Sequence, residues 1–148
     1  MATLEDTDNF LAGVENLVKD IRNKYESKQN ERVISSHVWM SDYIDQAIKN
    51  KVMPLKDSLT TLKDRHVGDF KSTTQFDAII NFCSDIIKIL NEVNTLYKMR
   101  ANLVDLKLKW QYALPQIEDK VKHMRNRFNI IKSQLSKKVF EYEEEDWP

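Results

Sequence analysis

From residue 117 onward the chain places an apolar residue at every step that a packed helix seam requires. Ile117, Val121, Met124, Phe128, Ile131 and Leu135 follow one another at steps of 4, 3, 4, 3 and 4. That rhythm keeps one stripe of a helix turned toward a second helix, as in a coiled coil. Only 2 glycines and 3 prolines occur in 148 residues, so turn chemistry is scarce and no flexible linker is evident. With 31% charged residues and recurrent aliphatic seams, long helices are favoured over sheets. The expected fold is all-α: an elongated antiparallel helical bundle with a C-terminal coiled-coil extension. The alternative is a compact four- or five-helix bundle.

A first helix is expected from about Asp8, capped by Thr7 or Asp8, with Phe10, Leu11, Val14, Leu17, Val18, Ile21 and Tyr25 on its core face. A second carries Ile34, Val38, Met40, Tyr43, Ile44, Ala47 and Ile48. Pro54 then either opens a new helix or kinks the old one, and Leu55, Leu59 and Leu62 continue in the same direction. His66, Val67, Gly68 and Asp69 form the clearest reversal, and Thr74 with Asp77 has capping-box spacing. The helix beginning there is apolar almost all round, from Ile79 through Cys83, Ile86, Leu90 and Val93 to Tyr97, so it must be covered on two sides. It is the spine of the expected fold.

Beyond Tyr97 the stripe shifts phase to Met99, Leu103, Leu106, Trp110, Ala113 and Ile117, with Pro115 inside it. No Gly, Asn, Ser or Asp around Pro115 builds a turn, so the reading is a kinked continuous helix, with a hairpin at Pro115 as the alternative. A helix from 74 to 140 would be roughly 100 Å long, more than the earlier helices could sheathe. The expected organisation is a helical bundle over 1–114, with its spine from about 74, a coiled-coil helix over 115–140 and a disordered acidic tail over 141–148. The seam of Ile117, Val121, Met124, Phe128, Ile131 and Leu135 would then face another chain.

The formal net charge is zero, so bulk attraction to nucleic acid is not expected, but charge is segregated. Residues 120–138 carry bases only, among them Lys120, Lys122, Arg125, Arg127 and Lys132; Glu141, Glu143, Glu144, Glu145 and Asp146 follow. Three readings of the basic stretch stand side by side. It binds phosphate, it is a solvated helix face, or Arg125, Arg127 and Lys132 flank the seam and select an acidic partner helix. No aromatic residue is interleaved there for stacking on bases, which lowers the nucleic-acid case.

No catalytic or cofactor motif stands out. His37, His66 and His123 are far apart, Cys83 is the sole cysteine and sits among apolar residues, and no glycine-rich phosphate loop exists. The expectation is therefore no enzyme, no metal and no cofactor. The acidic N-terminus lacks the form of a signal peptide and no apolar run is long enough to span a bilayer, which points to a cytoplasmic, soluble chain. Glu145, Asp146 and Trp147 are similar to the acidic tryptophan peptides that dock into the light-chain repeats of kinesin motors. In that family a leucine or methionine precedes the acid and another acid follows the tryptophan; here Glu144 and Pro148 hold those positions. The resemblance implies a tail-binding partner; a solubilising tail is the other reading.

These features point to a non-catalytic scaffold subunit of a hetero-oligomeric complex whose partners are other helical chains. In architecture it resembles small subunits of endolysosomal positioning and biogenesis complexes, kinetochore and spindle assemblies, and tethering complexes. The alternative is a compact helical adaptor that binds a peptide or a membrane surface in a groove.

Overall fold

The computed structural model describes residues 3–66, 68 and 70–145, with the side chains of residues 3–66, 68 and 71–135. Among the described residues six α-helices follow one another: α1 (Leu4–Glu26), α2 (Glu31–Ser35), α3 (His37–Ala47), α4 (Met53–Arg65), α5 (Phe70–Lys98) and α6 (Leu103–Glu145). The chain is all-α, and no strand occurs among the described residues. No helix among them is long and apolar enough to cross a membrane.

Helix α1 begins earlier than its apolar stripe predicts. Thr3 caps it, its hydroxyl accepting from the Asp6 N–H at 3.0 Å, and Glu5 and Asp6 add negative charge where the helix dipole is positive. Thr7, expected as a cap, is buried instead, and its hydroxyl shares a 2.6 Å hydrogen bond with Ser58 of α4. Pro54 lies in the first turn of α4, the first of the two expectations for it. A π-helical segment, Ile48–Val52, joins α3 to α4, and both run in one direction. A proline ring would press on the carbonyl four residues back; the wider π winding relieves that contact and keeps the rod intact.

Four rods result: α1, the α3–α4 rod, α5 and α6. Cross-links between them fix their order and direction. Gly13 lies beside Lys51 and Thr7 bonds Ser58, so α1 is antiparallel to α3–α4. Asn94 donates to Asp45 at 2.8 Å and Lys63 pairs with Asp77, so α5 is antiparallel to the same rod. Lys109 pairs with Glu92 and Lys120 with Asp85 along α5 and α6, and Arg22 pairs with Glu118 between α1 and α6. The rods thus close into an up-down-up-down four-helix bundle. Helix α5 is its spine, packed on α3, α4 and α6, with Phe76, Ile79, Cys83, Ile86, Leu90, Val93 and Tyr97 buried.

The decisive departure from the sequence reading lies at residues 99–102. The long helix does not continue through them; it reverses. Arg100 adopts a left-handed backbone with φ of 56°. The Ala101 N–H reaches the Leu96 carbonyl at 3.0 Å and the Arg100 N–H reaches that of Tyr97 at 3.1 Å, the two bonds of a Schellman C-terminal motif. Asn102 then caps α6, its side-chain oxygen accepting from the Asp105 N–H at 2.9 Å. An arginine fills the place glycine normally takes, which is why the turn was not apparent from composition. Pro115 stays inside a continuous α6, as expected. It lies on the exposed face, as does Gln111, whose carbonyl loses its helical partner to the proline and can meet water instead.

Because α6 folds back along α5, the seam is internal. Ile117, Val121, Met124, Phe128, Ile131 and Leu135 are each at most 6% exposed and belong to the one core that all four rods share. The expected division into a bundle over 1–114 and a separate coiled-coil helix over 115–140 is replaced by one bundle, and the compact alternative describes it. The acidic residues 141–145 continue the α6 backbone rather than leave it. Residues 146–148, including Asp146 and Trp147, lie outside the described residues.

Candidate interaction surface

The residues expected to meet a partner chain meet α1 and α5. Arg125 is held by two acids of α1: its Nε and Nη2 reach the Glu15 carboxylate at 3.3 and 2.6 Å, and its Nη1 donates to Asp8. Lys132 reaches the other Asp8 oxygen at 3.1 Å. Arg127 donates to Gln75 of α5 at 2.9 Å. Arg125 and Lys132 thus pair with acids of α1 in the same chain, while Arg127 meets a neutral glutamine. The hydrogen bond from Arg125, with help from Lys132, holds the Asp8 carboxyl below its ordinary range against the opposing pull of burial. Arg125, tied to both Glu15 and Asp8, is kept charged more firmly than a free arginine. Among the described bases of this stretch, Lys120, Arg125 and Lys132 are thus paired with acids of the same chain.

No group of three or more His, Cys, Asp or Glu side chains among the described residues could hold a metal ion. Burial pushes the Cys83 thiol up to about 12, far from the thiolate that nucleophilic chemistry needs. The Tyr97 hydroxyl, also raised to about 12 by burial, accepts the indole N–H of buried Trp110 at 2.8 Å, a structural pair.

Between α1 and α3 lies an open groove of about 360 Å³, floored by Leu17 and Ala47 and rimmed by Asp20, Tyr43 and Lys51. Tyr43 donates to Asp20, and Lys24 pairs with the same carboxylate at 3.1 Å while lying over the Tyr43 and Trp39 rings. Burial raises Asp20, but the Tyr43 and Lys24 hydrogen bonds outweigh it and hold the carboxyl below its ordinary range. Trp39 stacks on Tyr43 at 5.3 Å and stays substantially exposed. The polar groups of this groove are largely matched to one another, Asn50 donating to Gln46 at 2.6 Å.

The outer face of α6 is different. Val104 is 75% exposed, Leu108 49% and Tyr112 65%, and exposed Pro115 continues the line. At spacings of 4, 4 and 3 they form one stripe, opposite the buried Leu106, Trp110, Ala113 and Ile117. Met99 extends the apolar surface at the hairpin. Single exposed apolar side chains are ordinary, but a stripe three turns long is a characteristic of contact surfaces. The spacing is present in the sequence. The stronger stripe on the other face of the same helix masks it.

Fold and surface together define a class, an antiparallel four-helix bundle with an apolar stripe on the outer face of α6. No protein-family model matches the chain, and comparison with curated proteins and with solved structures gave no match.

Proposed function

We propose that this chain is a non-catalytic assembly subunit that docks another helical chain on the outer face of α6. The observation that carries the reading is the Val104, Leu108, Tyr112 and Pro115 stripe, one apolar residue per turn with its back to the core. Such a face suits a helix laid along it, whose own stripe would interleave at the same spacing. The seam from Ile117 to Leu135 is occupied inside the bundle, so assembly through it would require the bundle to open. The reading therefore keeps the scaffold role and moves it to the opposite side of the same helix.

The test is copurification from native cells of the tagged full-length chain and of a Leu108→Asp, Tyr112→Asp variant at matched expression. Partner chains in fixed stoichiometry are expected with the unaltered protein and absent from the variant, with the melting temperature unchanged. Equal recovery of the same partners by both proteins would refute the docking face.

A further inference from the structure

We propose that the turn at residues 99–102 is a hinge, through which two copies of the chain exchange α6 to form a swapped dimer. The inference does not use the outer face of α6. In each half of the dimer, α1 to α5 of one copy hold α6 of the other, and the seam is covered by the contacts it has in the closed bundle. Only the turn changes: it straightens, and α5 and α6 become one helix.

Three features of the turn carry this. Residues 99–102 read Met-Arg-Ala-Asn, with no glycine or proline, and Met, Arg and Ala are strong helix formers. The closed turn holds Arg100 at φ of 56°, a left-handed backbone that is costly for an L-residue and that a straight helix relieves. Short connections under strain favour exchange of this kind. Finally, Leu96, Met99, Leu103, Leu106, Trp110 and Ala113 follow at steps of 3, 4, 3, 4 and 3, straight through the turn. A straightened helix therefore carries one unbroken seam of coiled-coil spacing.

The pairing of α5 with α6 fits the same geometry. Glu92 meets Lys109, Asp85 meets Lys120 and Gln75 meets Arg127, so the levels of the two helices mirror one another about residues 101–102, the middle of the turn. A two-fold axis placed there lets two straight helices lie side by side, antiparallel, and repeat each of these pairs between copies. Met99, 71% exposed in the closed turn, then lies level with Leu103 of the partner subunit, an apolar contact the monomer lacks. The other elements leave this level clear. Helix α1 ends short of it, since Arg22 meets Glu118, and α2 meets Lys107. Only the start of α3 reaches the turn, where the His37 ring meets the Ala101 carbonyl at 2.7 Å.

Straightening gives up the two Schellman bonds, the Asn102 cap and the His37 contact. The continuous helix supplies new hydrogen bonds to the backbone groups thus freed. Association also costs two chains their independent motion, so the closed bundle prevails in dilute solution. Exchange requires α6 to leave its own core, which exposes the whole seam. The dimer is therefore slow to form and, once formed, slow to part.

The test is to unfold the full chain in urea, refold it at about 5 µM and at about 500 µM, and measure mass by size-exclusion chromatography with light scattering. Monomer alone is expected from the dilute sample. The concentrated sample should hold a dimer that survives dilution to about 5 µM for hours and reverts on warming toward the melting midpoint. Asn102→Ala, which removes the α6 cap, should raise the dimer fraction at least about twofold. Arg100→Gly, which frees the turn of strain and weakens the straight helix, should lower it at least about threefold. In a chain carrying Glu92→Cys and Lys109→Cys, a short bismaleimide should link the two positions within one chain in the monomer and between chains in the dimer, as read on a denaturing gel. Absence of dimer at the higher concentration from both the unaltered chain and Asn102→Ala overturns the proposal. Links confined to single chains, or a dimer that parts at once on dilution, place the contact on a surface and overturn the exchange. An undiminished dimer from Arg100→Gly overturns the role given to the turn.

Discussion

Replacing Phe128 with alanine separates a seam that builds the fold from one that serves another chain. Phe128 is 1% exposed, at the centre of α6, with Met124 and Ile131 buried one turn to either side. An aromatic side chain of this size removes about 150–250 Å² from water, which at about 25 cal/mol per Å² is about 4–6 kcal/mol. Measured costs of Phe→Ala in cores, with partial collapse around the cavity, are about 3–5 kcal/mol. A domain of this kind has about 5–15 kcal/mol in total, so the variant should keep its fold with a small margin. The melting midpoint should fall by about 8–15 °C. Urea unfolding followed by far-UV circular dichroism gives the same quantity, and it should be independent of protein concentration. Ile130→Ala is the control: Ile130 is on the same turn but 42% exposed, and its loss should cost no more than about 0.5 kcal/mol. Equal midpoints for Phe128→Ala and the unaltered chain, or a loss at Ile130 as large as at Phe128, would refute the internal placement of the seam.

Removing residues 116–148 takes the whole seam from the core, so the truncated chain should lose cooperative unfolding; a folded truncation with a sharp calorimetric transition would contradict the closed bundle. Arg100→Gly should raise stability by about 0.5–1 kcal/mol, because glycine adopts the left-handed turn without the penalty an L-residue meets, less its greater freedom when unfolded; a lower urea midpoint would refute this account of the turn. Tyr97→Phe should cost about 1–3 kcal/mol by leaving the buried Trp110 N–H without its acceptor, measured by the same unfolding curves. The Asp8 carboxyl has a folded pKa below its ordinary 3.8, so its contribution is present above that value and is lost as pH falls through the depressed folded one. Asp8→Asn should therefore lower the urea midpoint at pH 7, with the gap to the unaltered chain narrowing toward pH 3; a gap independent of pH would sink the assignment.

Much of the core was legible in the chain because helical periodicity is local. Leu11, Val14, Leu17 and Ile21 on α1, Ile79 through Tyr97 on α5 and the seam on α6 all lie at spacings that only one helix face satisfies, and all are buried. What misled was the turn at residues 99–102. Its left-handed residue is Arg100, and its remaining signal, Asn102 three places before Asp105, is a cap motif among charged residues that an uninterrupted helix would also accept. One missed reversal converted a bundle into a rod and an internal partner into an external one. The outer stripe of α6 is hidden for a related reason. Val104, Leu108 and Tyr112 have the same period as Leu106, Trp110 and Ala113, and period alone does not say which of two apolar faces a bundle will cover.

The sequence by itself therefore determined that the chain is helical, which residues line each helix, and that its last long helix needs a partner, since these follow from spacing along a single element. Only the tertiary structure decided that the partner is α5 and α1 of the same chain, that Arg125 is neutralised by Asp8 and Glu15, and that the face left over is the one through Leu108. Those outcomes depend on the direction in which four residues turn the chain, and on contacts between residues about a hundred positions apart, which no local pattern encodes.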